Sequence, residues 1–409
     1  MRQIFLDYQS STPVLPEVFE AMRPYFTGEF GNPSSLHQHG LRARDALQHA
    51  REQTAALVNA ASADEIIFTS GGTEAVNLAI KGAALAYRRE GNHLILSSIE
   101  HPAVANSVEF LEREGFTATR VTVDAAGRIA PAAVKAALTD KTTLVCVHLA
   151  NHDLGTIQSI REISAVCAEA GARLFVDAVA AASWIPIDVQ ALGVDLLALS
   201  PHRFFGPKGV GILYQRARTR MTSQIHGGMQ EAGRRAGTEN VPAIVGAGVA
   251  AEIAAREGPR RTAHVARLQR QLWDALRVTI PHLKLNGPDL GPERLPTNLN
   301  VSVGFVEGEG LMLILDTQGI AITSGTSCVG KALKISPVLA AIGLPPSLAL
   351  GNVILSLGQD NTEDEIAWAA ATFAKAVKKL RGMSPAWDEF QRGEIQPQPG
   401  DEMSRRKRS

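Results

Sequence analysis

This sequence of 409 residues has no net charge, few cysteines and no long apolar run. Each of these features excludes a class of protein. Lysine plus arginine and aspartate plus glutamate number 41 each, so there is no electrostatic argument for binding nucleic acid or an anionic membrane. The longest nearly apolar run, residues 244–251, is too short for a helix that spans a bilayer. The first residues lack the apolar core of a signal peptide, so we expect a cytoplasmic protein.

Cysteine is both rare and odd in number, since the chain has three. That count is typical of a reducing compartment and excludes a disulfide scaffold. Cys146 and Cys167 lie in apolar stretches and are predicted core residues. Cys328 lies among Ser, Gly and Thr, with glycine at 325 and 330, and a thiolate on such a loop is accessible and can be reactive.

Short apolar runs alternate with helical patterns through the first two thirds of the chain. The predicted strands cover residues 65–70, 94–98, 143–149, 172–177, 194–199 and 210–214. Strands separated by helices predict an α/β protein with a mostly parallel sheet and helices on both faces. In such sheets ligands bind at the carboxyl ends of the strands. The polar residues expected at those ends are Thr73, His101, His152, Asp177 and Ser200.

A glycine turn between a strand and a helix lies at residues 71–73, Gly-Gly-Thr. The free N–H groups at the start of a helix favour a phosphate, and Gly71 and Gly72 permit close approach of the backbone. Thr73 adds a hydroxyl group, although threonine at this point is also a good helix cap. By itself the pattern leaves both interpretations open.

The pattern changes near residue 258, which we take as a domain boundary. Residues 1–257 form the predicted large α/β domain, with residues 1–15 as a candidate contact of the small domain. Residues 258–392 form a predicted smaller α+β domain that carries the Cys328 loop and begins with a charged helix at residues 260–278. Residues 393–409 have charge, Pro and Gly without periodicity, and are predicted to be disordered.

The sequence SPHRFFGPKG at residues 200–209 connects this pattern with a known family. It resembles the Ser-x-His-Lys…Gly-Pro-Lys-Gly segment of NifS-type cysteine desulfurases, which have the class V aminotransferase fold. The resemblance extends over residues 4–392, in order and with the family's spacings. It implies a PLP-transferase type I (aspartate aminotransferase-like) fold with a smaller C-terminal domain. It also implies pyridoxal phosphate (PLP) as the cofactor.

The resemblance assigns roles to individual residues of this chain. It implies that His101 stacks on the cofactor ring, that Asp177 pairs with the ring nitrogen, and that Cys328 takes sulfur as a persulfide. Thr238, in the glycine-rich loop at residues 227–240, is implied to reach the cofactor phosphate of a partner subunit, so we expect a homodimer. The implied cofactor-binding residues are Gly72, Thr73, His152, Asp177, Ser200, His202, Arg203 and Thr238.

Four positions depart from the family pattern, and all four concern cofactor or substrate. Arg203 replaces the lysine that forms the Schiff base, and a guanidinium stays protonated and is a poor nucleophile. Ala180 and His152 replace a Gln and an Asn that hydrogen-bond the cofactor. Ile354 replaces an Arg that pairs with the substrate carboxylate, a loss of about 2–5 kcal/mol of binding. A covalent aldimine with PLP is therefore not expected.

Three hypotheses for function follow. The first is a desulfurase-like protein of sulfur transfer or iron–sulfur cluster assembly, with Cys328 as persulfide or as a thiolate at a cluster edge. The second is an enzyme that holds PLP without a covalent bond and uses His101 or His152 as base. The third is a non-catalytic subunit of a desulfurase or scaffold complex. The sequence leaves any other metal ligand undetermined.

A protein partner is also implied for the C-terminal segment at residues 384–393. This segment resembles the one with which family members contact an iron–sulfur scaffold or sulfur acceptor. Trp387 and Phe390 are then candidate apolar anchors. Packing of the same rings on the small domain explains them equally well.

Overall fold

The computed structural model describes residues 2–324, 326–328 and 333–394, with only the backbone described at 326–328, 333 and 334. The predicted disordered tail falls almost entirely outside the described residues, as do the glycines at 325 and 330. In the described part of the chain, no helix is long and apolar enough to cross a membrane.

The strands are short and lie throughout the described chain. In order they are β1 (Ile4–Phe5), β2 (Ile66–Thr69), β3 (His93–Ser97), β4 (Thr117–Val121), β5 (Thr142–His148), β6 (Arg173–Asp177), β7 (Leu196–Leu199), β8 (Gly211–Gln215), β9 (Leu283–Leu285), β10 (Asn298–Val303), β11 (Ile320–Ala321), β12 (Thr326–Cys328), β13 (Leu333–Ile335) and β14 (Asn352–Ser356).

The helices alternate with these strands in the first half of the chain. In order they are α1 (Pro16–Met22), α2 (Pro24–Thr27), α3 (Gln38–Leu57), α4 (Gly72–Tyr87), α5 (Pro102–Arg113), α6 (Pro131–Ala137), α7 (Ile160–Glu169), α8 (Val189–Leu192), α9 (Val241–Thr279), α10 (Gly308–Thr317), α11 (Pro337–Ala341), α12 (Pro346–Ala349), α13 (Glu363–Arg381) and α14 (Pro385–Gln391).

The main sheet has the strand order β2-β8-β7-β6-β5-β3-β4. The pairs among β7, β6, β5, β3 and β4 are parallel, whereas β8 runs antiparallel to both of its neighbours. The prediction of a mostly parallel sheet is therefore confirmed. Strands β2, β3, β5 and β7 are buried along their whole length, because the sheet has helices on both faces. One face packs into a core with α4 and α5, and the other into a core with α3, α7 and α9.

A second, antiparallel sheet has the order β14-β10-β9 and contacts α9, α10 and α12. The start of the chain reaches this region, since β1 pairs with β11 and Asp7 forms a bridge with Ser356. The helix predicted at residues 260–278 is the second half of α9, which runs without a break from Val241 to Thr279 and contains Pro259. Proline is typical of a first helical turn, and this explains the misplaced start. The division into domains stays a prediction.

Candidate functional site

A cavity of about 210 Å³ lies at the carboxyl ends of the parallel strands of the main sheet. Asp177 is the last residue of β6, Ser200 directly follows β7, and His101 and His152 lie in the segments that follow β3 and β5. The structure thus brings together residues from five separate stretches of sequence. Those predicted from the sequence that line the cavity are Gly72, Thr73, His101, His152, Asp177, Ser200, His202 and Arg203.

One end of the cavity offers hydrogen-bond donors without partners. Helix α4 begins at Gly72, where an added Cβ atom would lie only 3.1 Å from the Cβ atom of Ser200. The hydroxyl of Ser200, a residue only 1% exposed, has no hydrogen-bond partner in the described chain, and neither does Nδ1 of His202. Burial and the charge of Arg203 lower the pKa of His202 to about 4, so this ring is neutral at pH 7. Helix start, hydroxyl and imidazole together suit an anionic group such as a phosphate.

Asp177 occupies the floor of the cavity and is buried. Its Oδ1 accepts a hydrogen bond from the backbone N–H of Val179 at 3.0 Å. Burial raises the pKa of this carboxyl group, and the negative charge of Glu100 raises it further. A buried carboxylate with unused acceptor capacity is suited to a cationic N–H group, such as a protonated ring nitrogen.

His101 and His152 form one wall, with their ring centroids 5.2 Å apart in an edge-to-face arrangement. Nδ1 of His101 caps helix α5 by accepting a hydrogen bond from the N–H of Ala103 at 3.1 Å. Burial lowers the pKa of His101 to about 4, so the ring is neutral, and its hydrogen must lie on Nε2. His101 therefore presents an N–H donor to the cavity. Its Nδ1 lone pair is already used by the helix cap.

A buried network that sequence reasoning missed lies beside Asp177. Nδ1 of His148, the last residue of β5, is 2.8 Å from Oε1 of Glu100. The amide of Gln158 accepts from Ile129 N–H through Oε1 and donates through Nε2 to the carbonyl oxygen of Gly127. Its Nε2 is also 3.1 Å from Nε2 of His148, which must accept, so the His148 hydrogen lies on Nδ1 and points at Glu100.

This network matters because it holds the buried Glu100 side chain close to Asp177. His148 lies directly opposite Asp177 in the pairing of β5 with β6. The second oxygen of Glu100, Oε2, is buried without a hydrogen-bond partner in the described chain. The only signals in the sequence were that Glu100 precedes His101 and that His148 ends a buried strand. Neither signal distinguishes a site residue from an ordinary core residue.

Arg203 lies in the cavity wall, next to His202 in sequence, and is partly buried. No described residue forms a hydrogen bond or an ion pair with its guanidinium group, an unusual state for a cation that is partly withdrawn from water. Burial lowers its pKa, while the charges of Asp177 and Asp7 favour the protonated form. No lysine is among the described residues that line the cavity.

The remaining predicted residues lie elsewhere or outside the description. Ala180 lines the cavity, but Ile354 is buried within β14 opposite Asn300 and does not. Thr238 is exposed and is not part of the cavity of its own chain, so its contact with a partner stays a prediction. The backbone of Cys328 belongs to β12, and its side chain lies outside the described part of the structure.

The two candidate anchors of the C-terminal segment pack within their own chain. The rings of Trp387 and Phe390 lie 5.6 Å apart, and Phe390 stacks on Phe305 at 4.9 Å. The guanidinium of Arg381 lies 4.6 Å from the centre of the Trp387 ring. Among the described residues, no group of three or more His, Cys, Asp or Glu side chains could hold a metal ion.

Comparisons with known proteins agree with this arrangement. The family model described as aminotransferase class-V matches residues 4–368. The cysteine desulfurase IscS of Clostridium botulinum strain Hall is 43% identical over 389 residues, which cover 95% of this chain and 98% of that protein. The chain belongs to the cysteine desulfurase family.

Solved structures support the same assignment of fold. A NifS-like protein superposes on this family member with a TM-score of 0.87 and 32% identity, over 93% of this chain and all of that one. A structure described as SspA in complex with cysteine gives a TM-score of 0.77 at 35% identity, over 88% of this chain and all of that one. The predicted fold class and the predicted family are thereby confirmed.

The cavity of this family member can be tested against pyridoxal phosphate. The unpartnered Ser200 hydroxyl and His202 Nδ1 fit the phosphate, and buried Asp177 fits the ring nitrogen. His101 is placed to contact the ring. No described cavity residue carries a free amine that could form a Schiff base with the aldehyde of the cofactor. Arg203 occupies the position where the resemblance implies a lysine. These residues therefore fit the phosphate and the ring of the cofactor.

Proposed function

We propose that this chain is a sulfur-transfer protein of iron–sulfur cluster assembly, in which Cys328 carries sulfur and ordinary PLP-dependent cleavage of cysteine is lost. Identity of 43% with a cysteine desulfurase over nearly the whole chain supports the sulfur chemistry. The loss of cysteine cleavage is inferred from Arg203. This residue lines the cavity, and its guanidinium cannot replace a lysine amine as nucleophile.

The proposed transfer needs only a persulfide donor, such as an active desulfurase that has been charged with cysteine. The Cys328 thiolate attacks the terminal sulfur of the donor persulfide, the donor S–S bond breaks, and the donor thiolate leaves. Cys328 becomes the persulfide, and the reaction involves no net oxidation. The same thiolate could alternatively serve as a ligand at the edge of a cluster during its assembly.

Mass spectrometry of intact and digested protein tests this proposal. After incubation with a persulfidated donor, we expect one additional sulfur atom on the peptide that contains Cys328. We expect no sulfide release when the protein receives only L-cysteine and pyridoxal phosphate. The Cys328→Ser variant is the matched control and should gain no sulfur.

Each contrary outcome has a definite meaning. Rapid sulfide release from L-cysteine by the wild-type protein would show that the cofactor chemistry persists despite Arg203. Failure of Cys328 to accept sulfur, with the donor persulfide intact, would replace the proposal by a non-catalytic subunit of a desulfurase or scaffold complex.

A second candidate function is an enzyme that holds pyridoxal phosphate without a covalent bond, and the unpartnered Ser200 and His202 atoms favour it. When bound, the cofactor supplies an electron-accepting ring. Nε2 of His152 lies 3.6 Å from Oδ1 of Asp153, and no hydrogen bond of its ring is found among the described residues, whereas Nδ1 of His101 caps a helix. His152 is therefore the better placed of the two to accept a proton. Equilibrium dialysis with pyridoxal phosphate, followed by an assay for amino-acid turnover, tests this candidate.

A further inference from the structure

The hairpin that contains Cys328 consists of β12 and β13, which pair with Cys328 opposite Leu333. Its base is held on one side by the backbone of Thr323, which exchanges two hydrogen bonds of 3.2 and 2.8 Å with the backbone of Ile354 in β14. On the other side, Ser336 directly follows β13. The contacts of Ser336 therefore determine how firmly this second side of the base is held.

The hydroxyl group of Ser336 connects the hairpin with two other parts of the fold. It donates a hydrogen bond to Oδ2 of Asp153 at 2.8 Å, and it accepts the N–H of Val338 in the first turn of α11 at 3.2 Å. Ser336 is 9% exposed, and the side chain of Asp153 is 17% exposed. A hydrogen bond to a carboxylate is stronger than one between neutral groups, and little water competes for it here.

Asp153 is itself fixed by its backbone groups. Its N–H donates to Oδ1 of Asn151 at 3.0 Å, and its carbonyl oxygen accepts from Nδ2 of Asn298 and of Asn300 at 2.8 and 3.0 Å. Asn298 is 2% exposed and Asn300 is fully buried. Because the backbone of Asp153 is held at both its N–H and its carbonyl, the carboxylate is a fixed point to which Ser336 is attached.

The helices that follow the hairpin also pack against the wall of the cavity. Leu339 of α11 belongs to a buried apolar cluster that includes Ile99 and Leu154. Ile99 lies two positions before His101, and Leu154 lies two positions after His152, so the cluster supports both cavity histidines. The segment after β13 is thus attached to the cavity wall by apolar packing and by the hydrogen bond between Ser336 and Asp153.

We propose that Asp153 is a positioning residue for Cys328, because it holds Ser336 and thereby fixes the base of the hairpin on the cavity wall. A fixed base lowers the entropy cost of bringing the Cys328 thiolate into line with the persulfide of a protein donor. A small reagent reaches the thiol from many directions and needs no such alignment. The sulfur step rests on the proposed function, whereas the effect on reaction with a small reagent does not.

Two rates measured for Cys328 by peptide mass spectrometry test the inference. One is alkylation by iodoacetamide, and the other is the gain of sulfur from an active desulfurase that has been charged with cysteine. In Ser336→Ala we expect alkylation to be about 2- to 5-fold faster, because the base of the hairpin is less constrained. We expect the gain of sulfur to be about 10-fold slower, as for the loss of one charge-assisted hydrogen bond. Alkylation of Cys146 and Cys167 should stay unchanged, which shows that the variant is folded.

Further variants identify the hydrogen bond as the cause. Asp153→Ala should change both rates as Ser336→Ala does, and the double variant should show no further change, because both substitutions remove the same bond. Ser336→Thr keeps the hydroxyl group and should restore both rates toward the wild type. Ser164→Ala is the matched control, since Ser164 is also 9% exposed and also donates a bond of 2.8 Å, to the carbonyl oxygen of Gly193. It should leave both rates of Cys328 unchanged.

Several results would overturn the inference. Unchanged alkylation of Cys328 in folded Ser336→Ala, or no alkylation of Cys328 at all, would mean that Ser336 does not govern this thiol. Additive effects in the double variant, or the same effects in Ser164→Ala, would mean that the bond to Asp153 is not the cause. A wild-type Cys328 that is alkylated but gains no sulfur contradicts the proposed function, and the alkylation rates of the variants then decide the inference by themselves.

Discussion

Arg51 of helix α3 binds both carboxylate oxygens of Glu231 through Nη1 and Nη2, at 2.7 and 2.8 Å, across 180 residues of sequence. The Glu231 side chain is 2% exposed and also accepts the backbone N–H of Phe68 at 3.0 Å. Glu231 itself has a left-handed backbone, with φ of 49°. The pair thus anchors the 227–240 loop, which carries Thr238, to α3 and β2.

Arg51→Ala should destabilise the protein by about 3–5 kcal/mol, because it leaves the buried Glu231 carboxylate without its partner. Urea unfolding measures this loss. Arg23→Ala is the control, since the Arg23–Glu20 pair is exposed and should contribute only about 0–1 kcal/mol. Equal losses in the two variants would mean that Arg51 and Glu231 do not anchor the loop.

The His101→Asn variant should lose less stability in acid than the wild-type protein does. The pKa of His101 in the folded chain is about 4, below its ordinary value of 6.5, so the unfolded chain binds more protons between these two values. Stability therefore falls as the pH is lowered from 6.5 toward 4, and His101 contributes to that fall. Asparagine still caps α5, so the variant should match the wild type near pH 7 and unfold at a higher temperature near pH 5.

Thermal unfolding across this pH range measures the difference. His37→Asn is the matched control, because His37 caps α3 in the same way but is exposed. It measures the effect of exchanging a capping histidine for asparagine at an exposed position. A His101→Asn curve parallel to that of the wild type would show that His101 is not held neutral by burial.

Arg203→Lys should restore at most weak covalent attachment of pyridoxal phosphate, with cysteine turnover near background. Ala180 lines the cavity without a polar group, and Ile354 is buried in β14 and cannot pair with a carboxylate. Borohydride trapping with mass spectrometry measures attachment, and a sulfide assay measures turnover. Brisk sulfide release from this single variant would mean that the other departures from the family pattern are unimportant.

Cys328 should react with a thiol-specific alkylating agent faster than the other two cysteines of the native protein. Burial raises the pKa of Cys167 to about 12 and that of Cys146 well above its ordinary value, so neither forms a thiolate readily. Peptide mapping after timed alkylation gives the three rates. Cys328→Ser should abolish sulfur transfer and leave the melting temperature nearly unchanged. An inert Cys328 would contradict the sulfur function.

The protein should form a homodimer, and exposed apolar side chains at residues 30, 36 and 229 support this. Phe30, Leu36 and Met229 are 69%, 84% and 79% exposed, an unusual group for a monomer surface. Sedimentation velocity of Met229→Asp should show a shift toward monomer, whereas Met383→Asp, at another exposed methionine, should not. A monomeric wild-type protein would contradict the prediction.

The sequence alone predicted most strands of the main sheet and several of the cavity residues, because both depend on local patterns. Short apolar runs separated by helical patterns predict parallel strands. The residues that directly follow parallel strands all lie at the same edge of the sheet. For that reason Asp177, Ser200 and His101 could be named before their distances were known. The edge strand β4 was missed, because its residues are polar and largely exposed.

Only the tertiary structure decided the contacts between residues that lie far apart in sequence. Glu100 and His148 are 48 residues apart, and their hydrogen bond, which fixes the ring tautomer, has no local pattern. Within the described residues, the lack of a partner for Arg203 and for the Ser200 hydroxyl is likewise a property of their surroundings, since it depends on what the rest of the fold places beside them. Residue type therefore predicted where chemistry could occur, and the packing around each residue decided which groups are free to take part.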